Sequence, residues 1–530
     1  MISETLRKLA RIAWFLPGFL LWAAYPPMGE KTDVLFALAP LMWLSRKGDA
    51  CVSAKRWFMS GAFFWVATLS WMPAIVKNGG PWPLVVLGWF ALAAYCAAYF
   101  AAYGYLSAKA WGWARGGRYW RRLACVLVAE PVLWCGLELV RSRFLGGFSW
   151  NQLGVVPANG GFGAPAALGG VYLLSAVVIL VNGTVAGIAE RVMRQAPRLA
   201  GIETLLVFAV VFGVYRLSSF FFFSPVDDSR AGNMKVALMQ RNFPCVFKVR
   251  EENPLEVYDR LLRSATALEP DLVVLPESGL CEFGPVDQQG AMRFANWVRE
   301  KTGAALLAGG TRFADGREFN SAGLFCGGDV HVYDKVHLVP FGEYIPGDKL
   351  ITSLQKLAPV GSCTPGELKT LPWNGERLGV AICFEDTDSA QMRALANKGA
   401  GLLFFITNDS WFSHSVEAEA HAWQATARAI ETGLYVVRVG NNGVTGTIAP
   451  DGKASWLLGP DGSPLVDRQG SMLDRVPIRA ACVGNLRRGY TTPYAFLGDW
   501  PLGVTFALLM LAMILVKYAH RHEKRRYLSM

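Results

Sequence analysis

Eight long apolar segments constrain the fold of this chain more than any other feature. Seven of them fall between about residues 10 and 223, and the eighth covers about 500 to 517. A helix needs ~20 apolar residues to cross the ~30 Å hydrocarbon core of a bilayer, and several segments are long enough. We therefore predict a polytopic α-helical membrane bundle of about eight spans. The seven N-terminal spans are predicted near 12–27, 33–45, 57–76, 82–105, 123–140, 167–189 and 202–223.

Basic residues beside these segments predict the orientation of the bundle. Lys and Arg cluster after the second, fourth, sixth and eighth segments, whereas the loops after the first, third and fifth are poor in both. Because basic loops stay on the cytoplasmic side, we expect both termini in the cytoplasm and the long polar region outside it. In a bacterium, this corresponds to a multi-pass protein of the inner membrane with a periplasmic domain.

The region between the seventh and eighth segments has the composition of a soluble domain. The whole chain has a net charge of +11, but residues 231–497 carry about 26 Lys and Arg against about 29 Asp and Glu. The basic surplus therefore lies in the membrane-flanking loops, which argues against nucleic-acid binding. Short apolar runs alternate with amphipathic helical patterns from Met234 onward, which predicts an α/β domain. The expected organisation is a transmembrane bundle over 1–230, a catalytic domain over 231–497, and a final helix with a cytoplasmic tail over 498–530.

Three ionisable side chains follow apolar strands of this domain. Glu277 comes after the run 271–275, Lys335 after 331–334 and Cys383 after 378–382. A single cysteine at such a position is often a small buried hydrophobe, and a single Glu or Lys there is often a solvated loop charge. Together, however, the three supply a nucleophile, a base and a fixed cation. Covalent acyl chemistry requires those three parts.

The expected chemistry assigns one role to each group. Cys383 is the nucleophile, and the positive charge of Lys335 favours its thiolate and then the oxyanion of a tetrahedral intermediate. Glu277 is the general base that accepts the thiol proton and later deprotonates the second substrate.

Several segments resemble the Glu-Lys-Cys signature of the nitrilase superfamily and, more narrowly, the apolipoprotein N-acyltransferase family. They are LPES at 275–278, YDKVHLVPFGEYIP at 333–346 and ICFE at 382–385. The resemblance extends to 408–412, 427–433 and 441–445 and covers the whole chain, with seven spans before the domain and one after it.

The resemblance implies a four-layer α-β-β-α domain joined to the membrane bundle. It also implies that phospholipid donates its sn-1 acyl chain to Cys383, giving a thioester. The acceptor would be the α-amino group of the S-diacylglyceryl cysteine of an apolipoprotein. Glu343 and Glu385 match acidic positions that the family uses beside the triad, although loop hydrogen bonding or helix capping would also explain them. No cofactor and no metal are implied.

Four aromatic residues are candidates for substrate binding. Trp411 and Phe412 either line an acyl path or simply pack, and Tyr344 lies in the signature run. Trp150 lies in a Gly-rich loop, 146–152, which is either a lip for lipid entry or part of an interfacial aromatic belt. One departure from the family is Phe247, which lies where a tryptophan is common.

Two other functions fit parts of the pattern. A membrane-anchored amidase or nitrilase would use the same triad and finish with water, but an anchor needs only one span. A transporter would need an ion pathway, and the spans hold few charges beyond Glu130 and Glu138. These charges either include a Glu138–Arg141 pair that anchors the helix end or hold a lipid headgroup. The absence of CxxC pairs and the presence of only six His argue against zinc, and we interpret His414 and His421 as non-metal residues.

Overall fold

The computed structural model describes residues 14–115, 117–193, 197–222, 232–244, 252–266, 269–345, 362–478 and 492–528. The chain divides into two compact units. One comprises Met1–Ser70, Gly88–Ser219 and Leu497–Met530, and the other comprises Trp71–Leu87 and Phe220–Phe496. Phe247 lies outside the described residues.

The first unit is built from apolar helices. Their bounds are Leu16–Ala23, Ala39–Lys47, Ala50–Thr68, Trp82–Ala114, Tyr119–Ala124, Glu130–Arg141, Val155–Asn159, Ala166–Met193, Pro197–Phe222 and Trp500–Leu528. A π-helical turn, Cys125–Ala129, joins two of them, so that Tyr119–Arg141 is continuous. A short helix, Pro493–Leu497, precedes the last one.

Five helices in the described part of the chain are long and apolar enough to cross a membrane. They are Trp82–Ala114, Tyr119–Arg141, Ala166–Met193, Gly201–Ser219 and Trp500–Ala519. The polytopic bundle is thus confirmed, whereas the count of eight spans stays a prediction. The predicted span at 33–45 is wrong in extent, because its helix, Ala39–Lys47, has only 9 residues. At 1.5 Å per residue that helix is about 14 Å long, about half of what a span needs.

Close backbone approach and buried polar groups hold the bundle together. A Cβ on Gly136 would lie 2.1 Å from the ring of Phe506, so glycine lets the helix Trp500–Leu528 pack tightly there. The buried carboxylate of Glu130 accepts hydrogen bonds from Trp111 Nε1 at 2.8 Å and from Arg46 Nη2 at 3.3 Å. Glu130 therefore faces the protein interior, as a charge at this depth must.

The described residues of the second unit form two six-stranded sheets. The first comprises β1 (Gly232–Gln240), β2 (Leu272–Val274), β3 (Ala305–Ala314), β4 (Arg317–Cys326), β5 (Asp329–Asp334) and β12 (Gly470–Ile478). The second comprises β6 (Leu371–Trp373), β7 (Glu376–Ile382), β8 (Leu402–Thr407), β9 (Val436–Gly440), β10 (Gly446–Ile448) and β11 (Ala454–Trp456). The strand order is β12-β1-β2-β3-β4-β5 in the first sheet and β11-β10-β9-β8-β7-β6 in the second.

Alternation along the strands creates the layers. In β8, Leu402, Phe404 and Ile406 join the core between the two sheets, whereas Leu403 and Phe405 face a second core with the helices Ser389–Asn397 and Glu417–Thr432. The first sheet likewise packs its other face on the helices Pro254–Thr266 and Gln289–Thr302. A strand buried on both faces needs an unbroken apolar run, which is why these runs are so clear in the sequence. The four-layer α-β-β-α domain is confirmed.

Strand direction brings the three candidate groups together. β2 is parallel to β3, and β5 is antiparallel to β4, which is itself antiparallel to β3. β2 and β5 therefore end at the same edge of the first sheet, just before Glu277 and Lys335. In the second sheet β7 ends at Ile382, immediately before Cys383.

Candidate active site

Cys383 lies in a sharp turn. Its φ is +53°, in the left-handed region that residues other than glycine seldom adopt, and it begins a 3₁₀ helix, Cys383–Thr387. Such a turn presents the side chain at the end of the strand instead of along a sheet face. Backbone conformations of this kind persist where the surrounding structure holds them, and they cluster at functional sites.

Glu277 follows β2 in a segment that runs close to β3. A Cβ on Gly309 would lie 2.7 Å from Glu277 Cα and 3.0 Å from the carbonyl oxygen of Pro276, so only glycine permits this approach. Ser278, the next residue, has a φ of +61°. Arg241 Nη2 donates to the carbonyl of Ser278 at 2.7 Å and so holds the turn from the other side.

Lys335 is a buried cation between two carboxylates. Its Nζ lies 2.8 Å from Glu343 Oε1 and 3.8 Å from Glu277 Oε1. Burial alone would lower the pKa of Lys335, but the charges of Glu343 and Glu277 outweigh it and the pKa is raised. The ammonium therefore stays protonated throughout the physiological range.

Glu343 completes the group from a tight turn. Its Oε2 accepts a hydrogen bond from Val339 N at 2.8 Å. Burial raises the pKa of this carboxyl. The charge of Lys335 and the hydrogen bonds from Lys335, Val339 and Asn320 lower it by more, so the pKa is below its usual value. Glu343 is thus the permanent counter-ion of Lys335.

Asn320 links the two carboxylates. Its Nδ2 donates to Glu277 Oε1 at 2.7 Å and to Glu343 Oε1 at 2.6 Å. Asn320 was not among the residues predicted for the site, although a polar amide inside the apolar strand β4 is a visible signal.

Burial controls the protonation of the other two groups. It raises the pKa of Glu277, partly offset by Lys335, and it raises the pKa of Cys383 well above that of a free thiol. Glu277 raises the thiol pKa further, and Lys335 lowers it. Cys383 is therefore a protonated thiol at rest, and a carboxylate of raised pKa is well matched to take its proton.

Glu385 connects the loop after Lys335 to the strand before Cys383. Its Oε1 accepts from Val336 N at 2.8 Å and His337 N at 3.0 Å, and its Oε2 accepts from Ile382 N at 2.8 Å. Tyr333 Oη and Gln391 Nε2 donate to the same buried carboxylate at 2.9 and 2.7 Å. These bonds favour a role in positioning the site, and the burial of Glu385 raises its pKa.

Two of the four aromatic candidates, Trp411 and Phe412, contact a segment far away in the sequence that was not predicted to lie near the site. Asn78 Nδ2 donates to the carbonyls of Ser410 and Trp411 at 3.0 and 2.7 Å. The rings of Trp71 and Phe412 meet edge to face with centroids 4.6 Å apart. The segment 71–80 therefore packs on the turn after β8. The third predicted span, 57–76, is wrong at its C-terminal end, because its helix, Ala50–Thr68, ends before this segment.

The other two candidates, Tyr344 and Trp150, have backbone contacts within their own units. The carbonyl of Tyr344 accepts from Phe341 N at 2.7 Å, which closes the turn that carries Glu343. Trp150 belongs to the first unit and is only 2% exposed, so it is not part of an interfacial aromatic belt. Arg141 Nη1 donates to its carbonyl at 2.8 Å, and Glu138 Oε1 accepts from Leu153 N at 2.9 Å. Both charged residues thus hold the loop after their helix.

A second group of ionisable side chains lies deeper in the domain. The ligand atoms of Asp409, Glu417 and His421 lie within 4.8 Å of one another and are buried. The guanidinium of Arg438 already supplies positive charge there, with Nη2 3.6 Å from Asp409 Oδ2. Both ring nitrogens of His421 contact carboxylates, so we do not assign these residues as metal ligands.

Two family models match the chain. Residues 17–184 match the apolipoprotein N-acyltransferase N-terminal domain, and residues 235–473 match the carbon-nitrogen hydrolase family.

Relatives named apolipoprotein N-acyltransferase match most of the chain. The apolipoprotein N-acyltransferase of Geobacter metallireducens is 31% identical over 456 residues, which cover 82% of this chain and 84% of that protein. The apolipoprotein N-acyltransferase of Pseudomonas aeruginosa strain PAO1 is 28% identical over 552 residues, covering 98% of this chain and all of that one. Among solved structures, the amidase from Nesterenkonia sp. AN1 is 21% identical and covers 47% of this chain and 92% of its own, with a TM-score of 0.35.

Proposed function

The chain belongs to the apolipoprotein N-acyltransferase family, and from this premise we propose that its α/β domain transfers a fatty acyl chain through a thioester on Cys383. The donor is a membrane phospholipid, and the acceptor is the α-amino group of the S-diacylglyceryl cysteine of an apolipoprotein. The most direct support is the position of the buried ammonium of Lys335. It lies 3.8 Å from the carboxylate of Glu277, and its charge lowers the pKa of the Cys383 thiol.

The first half-reaction forms the acyl-enzyme. Glu277 takes the proton of the Cys383 thiol, and the thiolate attacks the sn-1 ester carbonyl of the phospholipid. The ammonium of Lys335 stabilises the oxyanion, and a charge preset where negative charge develops is worth several kcal/mol. The intermediate collapses with loss of the glycerol alkoxide, which takes the proton from Glu277 and leaves as lysophospholipid.

The second half-reaction releases the product. The acceptor amine attacks the thioester and passes a proton to Glu277, and the second oxyanion again faces Lys335. Collapse expels the Cys383 thiolate, which recovers the proton, and leaves an amide on the acceptor. One base and one fixed cation thus serve both steps of a ping-pong reaction.

Glu343 and Glu385 support this chemistry without taking part in bond changes. Glu343 keeps Lys335 charged and in place through its 2.8 Å contact. Glu385 holds the backbone on both sides of the site.

The membrane location follows from the bundle and the nature of both substrates. Several helices are long and apolar enough to span a bilayer. We place the protein in the bacterial inner membrane with 231–497 in the periplasm and both termini in the cytoplasm, because the basic loops alternate in that sense. A fluorescent protein that matures only in the cytoplasm should therefore report when fused to the C-terminus and stay dark when inserted after residue 497.

The function is tested with purified protein, phospholipid and a synthetic diacylated lipopeptide. We expect an N-acylated peptide and an equivalent amount of lysophospholipid with the wild-type protein, and neither with Cys383→Ala. Hydrolysis of small amides with no peptide acylation would instead establish an amidase.

A further inference from the structure

Four charged side chains form a buried ion network below the candidate site. Asp386 lies in the turn after β7, Asp409 in the turn after β8, Arg438 in β9, and His421 on the helix Glu417–Thr432. Each is at most 2% exposed. None has a role in the proposed acyl transfer.

The histidine joins the two carboxylates. His421 Nε2 lies 3.0 Å from Asp386 Oδ1, and His421 Nδ1 lies 3.0 Å from Asp409 Oδ1. Arg438 Nη1 donates to the other oxygen of Asp386, and its Nη2 lies 3.6 Å from Asp409 Oδ2. These ion pairs link the turn after β7, the turn after β8, the strand β9 and the helix Glu417–Thr432.

Two carboxylates facing both ring nitrogens favour a doubly protonated imidazole. A neutral ring has one donor nitrogen and one acceptor nitrogen, so one lone pair would face a carboxylate lone pair at 3.0 Å. Burial lowers the pKa of His421, but Asp386 and Asp409 outweigh it together and raise the pKa to about 10.

The charges of the network then cancel. Arg438 and protonated His421 give two positive charges, and Asp386 and Asp409 give two negative ones. Among the described residues, Glu417 is a further acidic neighbour and lies 3.5 Å from His421 Nδ1. Burial and the charge of Asp409 raise the pKa of Glu417 well above that of an ordinary glutamate. Protonation of Glu417 is thereby favoured, and the charges of Arg438, His421, Asp386 and Asp409 sum to zero.

The network also acts on the candidate site. The charge of Asp409 raises the pKa of both Cys383 and Glu277. Asp386 directly follows Glu385, whose carboxylate binds the backbone on both sides of the site.

We propose that His421 is a positioning residue whose imidazolium holds Asp386 and Asp409 and neutralises them, so that no net negative charge lies beneath the nucleophile. Removing that positive charge leaves a net charge of −1 close to Cys383 and opposes thiolate formation. Removing Asp409 instead leaves a net charge of +1 and favours the thiolate.

Three variants of the full-length protein test this inference. The rate of alkylation of Cys383 by iodoacetamide is measured against pH, with the modified residue identified by peptide mass spectrometry because other cysteines are present. We expect the profile of His421→Gln to shift to higher pH by about one unit, that of Asp409→Asn to shift to lower pH, and that of the double variant to lie near the wild type. Alkylation requires no acyl substrate, so the outcome is independent of the proposed function.

Opposite shifts of the two pH profiles distinguish an electrostatic role of His421 and Asp409 from a merely structural one. A merely structural role would lower thermal stability in both single variants without moving the two profiles in opposite directions, and that result would overturn the inference. If His421→Gln does not fold, Asp409→Asn and the double variant still give the comparison. A stoichiometric metal ion in the purified wild-type protein, lost in His421→Gln, would also overturn it.

Discussion

Glu385 accepts a hydrogen bond from the backbone of Val336 at 2.8 Å, which joins the second sheet to the first at the point where both approach the candidate site. Val336 follows Lys335 directly, and Glu385 lies two residues after Cys383. The nucleophile and the cation come from different sheets, so a bond between their loops fixes the distance over which they act.

Replacing Glu385 with Gln should therefore impair catalysis and folding together. The carboxylate now accepts hydrogen bonds from N–H and O–H groups, whereas the NH₂ group of the amide cannot accept them. Each buried donor that is left unpaired costs about 1–3 kcal/mol. A site misplaced by about 1 Å loses on the order of 100-fold in rate, so we expect kcat/KM to fall by that order. Acylation kinetics and thermal denaturation measure the two effects. Tyr333→Phe removes only one of the donors and should have a smaller effect; equal losses in both variants would contradict the positioning role.

Asn320→Ala should change the pH dependence of activity. Glu277 must be ionised to accept a proton, and its pKa is raised by burial while the hydrogen bond from Asn320 lowers it. Removing that bond raises the pKa further, so the acid limb of the kcat/KM profile should move to higher pH. Activity would be lost mainly at acidic pH and largely recovered in alkaline buffer. Ser321→Ala, which removes a bond to Asp334 instead, is the control. A uniform loss at all pH values in Asn320→Ala would argue against Glu277 as the base.

Gly309→Ala should displace the base without touching any charged group. The new methyl group would lie 2.7 Å from Glu277 Cα, a backbone atom that cannot rotate away. We expect a loss of at least about tenfold in kcat/KM, since general-base catalysis depends on hydrogen-bond reach. Gly112→Ala, at a helical glycine with open space around it, should be silent. Full activity in Gly309→Ala would show that the position of Glu277 is not critical.

Trp411→Ala tests whether the turn after β8 lines the acyl path. If the indole contacts the chain, the loss in kcat/KM should grow with the length of the donor acyl group, because each buried CH₂ contributes about 0.8 kcal/mol. Phospholipids of short and long acyl chains provide the comparison, and Trp297→Ala on the helix Gln289–Thr302 is the control. A loss independent of chain length would assign Trp411 to packing alone.

The sequence was sufficient to place the groups that lie at strand ends. Glu277 and Cys383 follow strands that are largely buried, which give clear apolar runs, and Lys335 follows the partly exposed edge strand β5. The four-layer domain and the helical bundle were predictable for the same reason, since both depend on local periodicity.

Local sequence patterns could not predict contacts between residues that are far apart in the chain. Asn320 reaches Glu277 across 43 positions of the chain, and Asn78 reaches Ser410 across 332. The pairing of His421 with Asp386 likewise depends on a helix and a turn from separate parts of the domain. Helix length was the weakest expectation, because the apolar segment at 33–45 gave no sign of where its helix would begin.

The central claim is that Cys383 carries the acyl group between donor and acceptor. The most direct test is intact-protein mass spectrometry after brief incubation with a phospholipid isotopically labelled in its sn-1 chain. We predict a mass increase of one labelled acyl group that hydroxylamine removes, that Cys383→Ala lacks, and that passes to a diacylated lipopeptide on addition. Undiminished peptide acylation by Cys383→Ala, with no labelled adduct on the wild-type protein, would contradict the account.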